Sequence, residues 1–424
     1  MRKPPGLPWR IGSGDRHQHG VGFGQPFVKW TRPPSVFWPV ILRWHPATNP
    51  GEKMNTENTT RRNATLDLIR SLAAAEVAIG HMRNLVMFDF VSGGFAAKAF
   101  YLLTAFGKQA VIVFFVLSGY LVGGSVVRDV RRNSWSWQKY LLDRFTRLWI
   151  VLIPALLLTL FWDHIGISIA NGSFYRGTEG NWVTRVDISE NLGFNQLICN
   201  AAFLQTLACN TFGSNGPLWS LANEFWYYMW FPVFYVAASK ARTPRGIALI
   251  VPAIVAMVAF AGLLEGFSYW LLGVVAYEIR LRVSIKNGTP YIMVATAALV
   301  ISLVIGKTSS YGHAITAAGF FLLLVAITTS GAQIISPTIS KIASGFSDMS
   351  YTLYLTHLPL TMFLVAVLFG ERVPLGTTGL IRLAAIAIGC FAYSYAVYYL
   401  FERNTTSLRA ILARGVSINS KKAG

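Results

Sequence analysis

Apolar runs of about twenty residues recur along this chain from Leu66 onward, separated by short joints rich in Arg and Lys. A run of that length crosses the hydrocarbon core of a bilayer as a helix, because a helix satisfies its own backbone polar groups where no water can. Ten such runs can be traced, near residues 65–86, 108–127, 145–163, 218–238, 246–262, 266–281, 290–306, 313–330, 349–369 and 379–401. The expected fold is an all-α polytopic membrane protein with about ten transmembrane helices. Composition agrees: only 13% of the 424 residues are charged, against about 25% in a soluble domain. The stretch Phe95–Phe106, just before the second run, reads as an interfacial or re-entrant helix.

Lys and Arg number 37 against 18 Asp and Glu, a net charge of +19. That excess does not point to nucleic acid, because the basic residues crowd into tails and inter-helix joints. The joint from Arg128 to Arg147 holds Arg128, Arg131, Arg132, Lys139, Arg144 and Arg147. SKARTPR (239–245), the group Arg280, Arg282 and Lys286, and the tail after Phe401 carry most of the others. With ten spans and cytoplasmic N- and C-termini, all of these fall inside, as the positive-inside rule requires. Anionic membrane lipid is then the expected electrostatic partner. The longest joint, 164–217, is polar and falls outside.

Residues 1–60 form a basic, Pro-rich arm with no secretory signal, expected to be disordered. Met54, leading straight into the first run, is an alternative start. The spans occupy 63–403, and 404–424 read as a basic cytoplasmic tail. Cys199 and Cys209 share the outer joint and either pair there or remain thiols; Cys390 lies in a span. No cysteine or histidine grouping has metal-ligand spacing, so no metal is expected.

Chemistry concentrates in four segments. The first run carries Asp67, Arg70, Glu76 and His81. Ionisable groups at bilayer depth cost several kcal/mol and mark function by default. Arg70 and His81 are separated by a helical rise of about 16 Å and share nearly one face, one near each side of the membrane. His81 is the candidate general base. In DRFTRLW, Arg144 and Arg147 stand at i, i+3, a spacing that suits phosphate binding, although basic residues flanking a span are also ordinary topology signals. GPLWSLANEFWYY brings Glu224 into the outer end of the fourth run, where it is expected near His81, to orient the ring, stabilise its imidazolium or bind the sugar. SDMSYTLYLTHLPL contributes Ser350, Tyr351 and His357, the last either a helix-packing group or a site residue. FFVLSGYL (114–121) reads as a close-packing helix in which Tyr120 is the one titrating group.

Taken together these segments resemble the membrane-bound acyltransferase-3 family. The resemblance rests on Arg70 and His81 with ten residues between them, FFVLSGYL, the RxxR pair Arg144/Arg147, WSLxxE as Trp219, Ser220, Leu221 and Glu224, and SYxxYLxH as Ser350, Tyr351, Tyr354, Leu355 and His357. Five motifs in the family's order over residues 70–357 are specific. One departure is Glu402-Arg403 followed by Asn404, where members often have Pro. Another is the absence of the extracytoplasmic hydrolase-like domain that some members carry, so transfer is expected to finish in the membrane domain or pass to a separate protein.

The resemblance implies transfer of an acyl group, most often acetyl, from cytoplasmic acyl-CoA (acetyl-CoA) to a hydroxyl of an exported or membrane-linked carbohydrate or glycolipid. It implies a bacterial inner membrane. His81, Arg70 and Glu224 are the candidate catalytic residues. Arg144, Arg147 and Arg70 are candidates for the donor's phosphates, and Trp219, Ser220, Tyr120 and His357 for the acceptor. The competing reading is a proton-coupled transporter or flippase using the same buried charges, though no internal repeat of the Arg-to-His pattern is visible.

Overall fold

A computed structural model describes residues 63–169, 174–177, 187–239, 248, 254, 261–331 and 335–422. The N-terminal arm, Met54 and nearly all of the expected run at 246–262 lie outside the described residues. What is described is helical. In chain order the helices are α1 (Ala64–Val86), α2 (Phe95–Leu103), α3 (Gly107–Ser118), a π-helical turn (Gly119–Gly123), α4 (Gly124–Arg131) and α5 (Trp137–Ile169). They continue as α6 (Phe194–Ala201), α7 (Leu218–Ser239), α8 (Leu264–Arg280), α9 (Thr289–Thr308), α10 (Gly312–Ser330), α11 (Pro337–Asp348), α12 (Ser350–Leu368), α13 (Thr377–Leu400) and α14 (Thr405–Lys422).

Among the described residues six helical stretches are long and apolar enough to cross a membrane: Phe95–Arg131, Trp137–Ile169, Thr289–Thr308, Gly312–Ser330, Ser350–Leu368 and Thr377–Arg414. The chain is thus an integral membrane protein. α1 is too polar to join that group, and its packing explains how it persists. It starts cleanly, with the Asn63 side chain accepting from the amides of Thr65 (3.0 Å) and Leu66 (3.3 Å). Leu66, Ala73 and Val77 then enter one hydrophobic core, while Ala74, Ala78, Met82 and Leu85 enter a second. α3, α11, α12 and α13 all pack on it. Protein, more than lipid, surrounds its polar groups.

Two interior prolines shape the neighbourhood of α1. Pro359 in α12 has no N–H, which orphans the carbonyl of Leu355; Asn215 Nδ2 donates to that oxygen at 2.8 Å. Pro232 in α7 likewise orphans Tyr228, whose carbonyl accepts from the Tyr140 hydroxyl at 2.9 Å. The first of these bonds pulls the segment before α7 into the bundle. Phe203, Gln205, Phe212 and Asn215 are fully buried, so α7 begins well inside the protein.

The joint expected at 164–217 is partly built structure. α5 runs on to Ile169, α6 follows, and a disulfide joins Cys199 to Cys209. α2 is a separate short helix with Phe95 and Leu103 exposed.

Candidate active site

FFVLSGYL runs into the π turn, which makes a close helix crossing. A Cβ built on Gly119 would overlap the Trp270 carbonyl, and one on Gly273 would overlap the Val116 carbonyl and the Tyr120 amide. Two glycines therefore let the π turn and α8 meet backbone to backbone. Val111, Phe114, Phe115, Ser118, Leu121 and Val122, at ordinary helical spacing, line a central cavity, and Tyr120 falls on another face. The Tyr120 hydroxyl accepts from Arg280 at 3.1 Å, and its ring packs on Tyr277. The expectation that Tyr120 binds substrate beside the other site residues is corrected on that ground.

The cavity, of about 280 Å³, is lined by residues of α1, α3, the π turn, α5, α7 and α12. Its polar wall includes Arg70, Arg144, Arg147, Ser220, Glu224 and Tyr228, and Phe114, Phe115 and Leu148 form part of its apolar wall. The three arginines are held differently. Arg70 donates to Ser347 Oγ at 3.1 Å and stands 3.7 Å from Asp67. Arg147 pairs with the buried Glu402 at 2.7 Å and lies over the Tyr351 ring. Arg144 stands over Tyr140 and Tyr228, 5.8 and 5.9 Å from the ring centres, and its buried Nε has no hydrogen-bond partner among the described residues. An unsatisfied guanidinium N–H beside a cavity suits an anionic ligand.

Glu224 lies in this cavity, not beside His81. A chain of donors ends on it: Trp270 N–H to Ser118 Oγ (3.1 Å), Ser118 to the Tyr228 hydroxyl (3.0 Å), and Tyr228 to Glu224 Oε1 (2.5 Å). The expected pairing with His81 fails for a geometric reason. Asn215 anchors the start of α7 at the level of Leu355, two residues from His357. Six further residues of α7 carry Glu224 about 9 Å deeper, to the level of the arginines.

His81 pairs instead with His357, Nδ1 to Nε2, at 2.9 Å. His357 is fully buried, and its Nδ1 lies 2.8 Å from the Leu353 carbonyl. The two histidines are not among the residues that line the cavity. Tyr354 belongs to both places: it lines the cavity, contacts Ser220 through the hydroxyls at 2.5 Å, and packs its ring 6.3 Å from that of His357. Ser220 reaches the cavity, whereas Trp219 is 39% exposed and packs edge-on against Phe115.

Two residues of this arrangement gave little signal in the sequence. Glu402 stood out only as half of a Glu–Arg pair closing the last run; it is 2% exposed, accepts from the amide and hydroxyl of Thr352, and ties α13 to α12 and α5. Gly273 sits in an unremarkable apolar run, and only the crossing with the π turn shows why a side chain is excluded there.

No curated protein and no solved structure gives a significant match to this chain. One family model, that of an acyltransferase domain, matches residues 63–399. That match covers the described bundle and every site residue named above except Glu402, and the chain belongs to the acyltransferase-3 family of membrane acyltransferases.

Proposed function

We propose that this protein moves an acyl group, in the first instance acetyl, from cytoplasmic acyl-CoA to a hydroxyl of an exported or membrane-linked carbohydrate. The observation that carries the reading is the stacking of two sites along α1: a cavity edged by Arg70, Arg144 and Arg147, and the His81–His357 pair beyond it. Arg144, with a donor to spare, and its neighbours Arg70 and Arg147 take the donor's phosphates. The cavity is at the small end for a ligand site (~300–1,000 Å³), so it suits the slender pantetheine arm better than the nucleotide. Glu224, facing that arm, accepts from its amide or hydroxyl groups.

The rise from Arg70 to His81 is about 16 Å, the distance over which the arm delivers the thioester. There His81 removes the proton from the acceptor hydroxyl as that oxygen attacks the thioester carbonyl. The C–S bond then breaks, and CoA leaves as the thiol, taking the proton from the imidazolium. Ser220 and Tyr354, between the two sites, are the polar groups positioned to meet the acceptor.

Ten spans with both termini cytoplasmic put the arginines inside and the histidines towards the outside, consistent with the basic joints. The Cys199–Cys209 disulfide supports an outward-facing joint, since disulfides persist in oxidising compartments. A bacterial inner membrane fits this layout. Family membership favours transfer over transport.

The test is mass spectrometry of envelope glycans from cells that make the protein, lack it, or make His81→Ala. Loss of one acyl ester in both the null and the variant is expected. Glycans identical in all three strains would refute a carbohydrate acceptor.

A further inference from the structure

We propose that His357 sets the tautomer of His81, and thereby selects Nε2 of His81 as the nitrogen that acts as base. The inference rests on the reading of His81 as general base and adds the residue that makes it one. A carbonyl oxygen only accepts, so the contact between His357 Nδ1 and the Leu353 carbonyl puts the ring hydrogen of His357 on Nδ1. In the neutral ring Nε2 then carries a lone pair and takes a hydrogen bond from the atom facing it. That atom is Nδ1 of His81, at 2.9 Å, which must therefore bear its hydrogen. His81 is left with its basic lone pair on Nε2.

The ring geometry agrees. The planes lie within 5° of each other and the centroids are 5.2 Å apart, the arrangement of two rings bonded edge to edge. His357 is held firmly in place, since it is fully buried and its own carbonyl accepts from Thr361 Oγ1 at 2.7 Å. When His81 Nε2 takes a proton, its Nδ1–H becomes a charge-assisted donor to His357, which stabilises the imidazolium. Both ring nitrogens of His357 are occupied in this scheme, so it offers no polar atom to an acceptor sugar. His357 is a positioning residue, and its expected role in binding substrate is replaced.

The test uses the full-length protein in lipid, with isotope-labelled histidines read by nitrogen NMR and the His81 signals assigned by their loss in His81→Ala. Alongside are His357→Gln, whose amide oxygen replaces the Nε2 acceptor, and His357→Leu, which removes it. The expected result is His81 protonated on Nδ1 in the wild type and in His357→Gln, and on Nε2 in His357→Leu. For turnover, kcat should fall in His357→Leu by up to ~10⁴-fold, the penalty for a catalytic histidine in the wrong tautomer, with KM for acyl-CoA unchanged, and recover substantially in His357→Gln. His81 protonated on Nε2 in the wild type would overturn the proposal even if no His357 variant folds, and so would a tautomer unaffected by His357→Leu. Full transfer by His81→Ala with the wild-type tautomer as stated would refute the base while leaving the tautomer assignment standing.

Discussion

The RxxR pair looks like one unit in the sequence, yet replacing its two arginines singly should give different proteins. Glu402 is 2% exposed, and Arg147 is its ion-pair partner at 2.7 Å. Arg147→Ala strands that carboxylate with only the two Thr352 donors. Breaking a buried pair from one side costs about 3–5 kcal/mol. The Arg147 side chain is 39% exposed, so water reaches the gap and the lower end, about 3 kcal/mol, is expected. That lowers the folded-to-unfolded ratio by roughly 10²-fold and is a large share of a typical stability of about 5–15 kcal/mol. Arg144 makes no close ion pair among the described residues, and Glu224, the buried carboxylate that feels its charge, keeps the Tyr228 hydroxyl and the Arg70 charge, so Arg144→Ala should cost about 1 kcal/mol, less than Arg147→Ala, while raising KM for the acyl donor. The assay is denaturant titration of the detergent-solubilised protein, completed as a double-mutant cycle with Glu402→Gln. The amide carries no charge, so Arg147→Ala/Glu402→Gln should recover most of the lost stability without recovering donor affinity. Equal stability losses for the two arginine variants, or no recovery in the double variant, would refute the reasoning.

Gly273→Ala should destabilise by about 1–3 kcal/mol or more through overpacking against Val116 and Tyr120, read as loss of monodisperse protein in size-exclusion chromatography. Cys199→Ser removes a short cross-link and should cost about 2–3 kcal/mol, with alkylation of Cys209 then proceeding without reductant. Tyr354→Phe deletes one neutral hydrogen bond to Ser220 and should cost about 0.5–1.5 kcal/mol of stability, with KM for the acceptor moving more than KM for the donor.

Hydropathy located the long helices because crossing lipid demands length and apolarity, and α9, α10, α12 and α13 fall within a few residues of where the runs end. It also marked α1 as a helix, although only packing explains how α1 carries Asp67 and Arg70. Arg70 and Glu224 could be picked out by residue type alone, since charges are rare at such depth. Arg144 and Arg147, in a basic joint, stood out only by their i, i+3 spacing and the RxxR motif. How these groups pair could not be read. Placing Glu224 near His81 assumed that α7 starts at the membrane surface, whereas Asn215 ties its first turn to the orphaned Leu355 carbonyl deep in the bundle. Tyr120 lies off the face that Ser118, Leu121 and Val122 share at the ordinary helical period, so its placement among the site residues came from the motif and not from the spacing. The partnership of His81 and His357 is long-range, between residues 276 positions apart, and no local pattern encodes it.

The most direct test of acyl transfer is the release of free thiol from acetyl-CoA by the purified protein in proteoliposomes containing envelope glycolipid, with His81→Ala and Arg144→Ala in parallel. The account predicts CoA release that requires the glycolipid, falls by about 10²–10⁴-fold in His81→Ala, and in Arg144→Ala is restored by raising the donor concentration. CoA release at the wild-type rate in His81→Ala would contradict it.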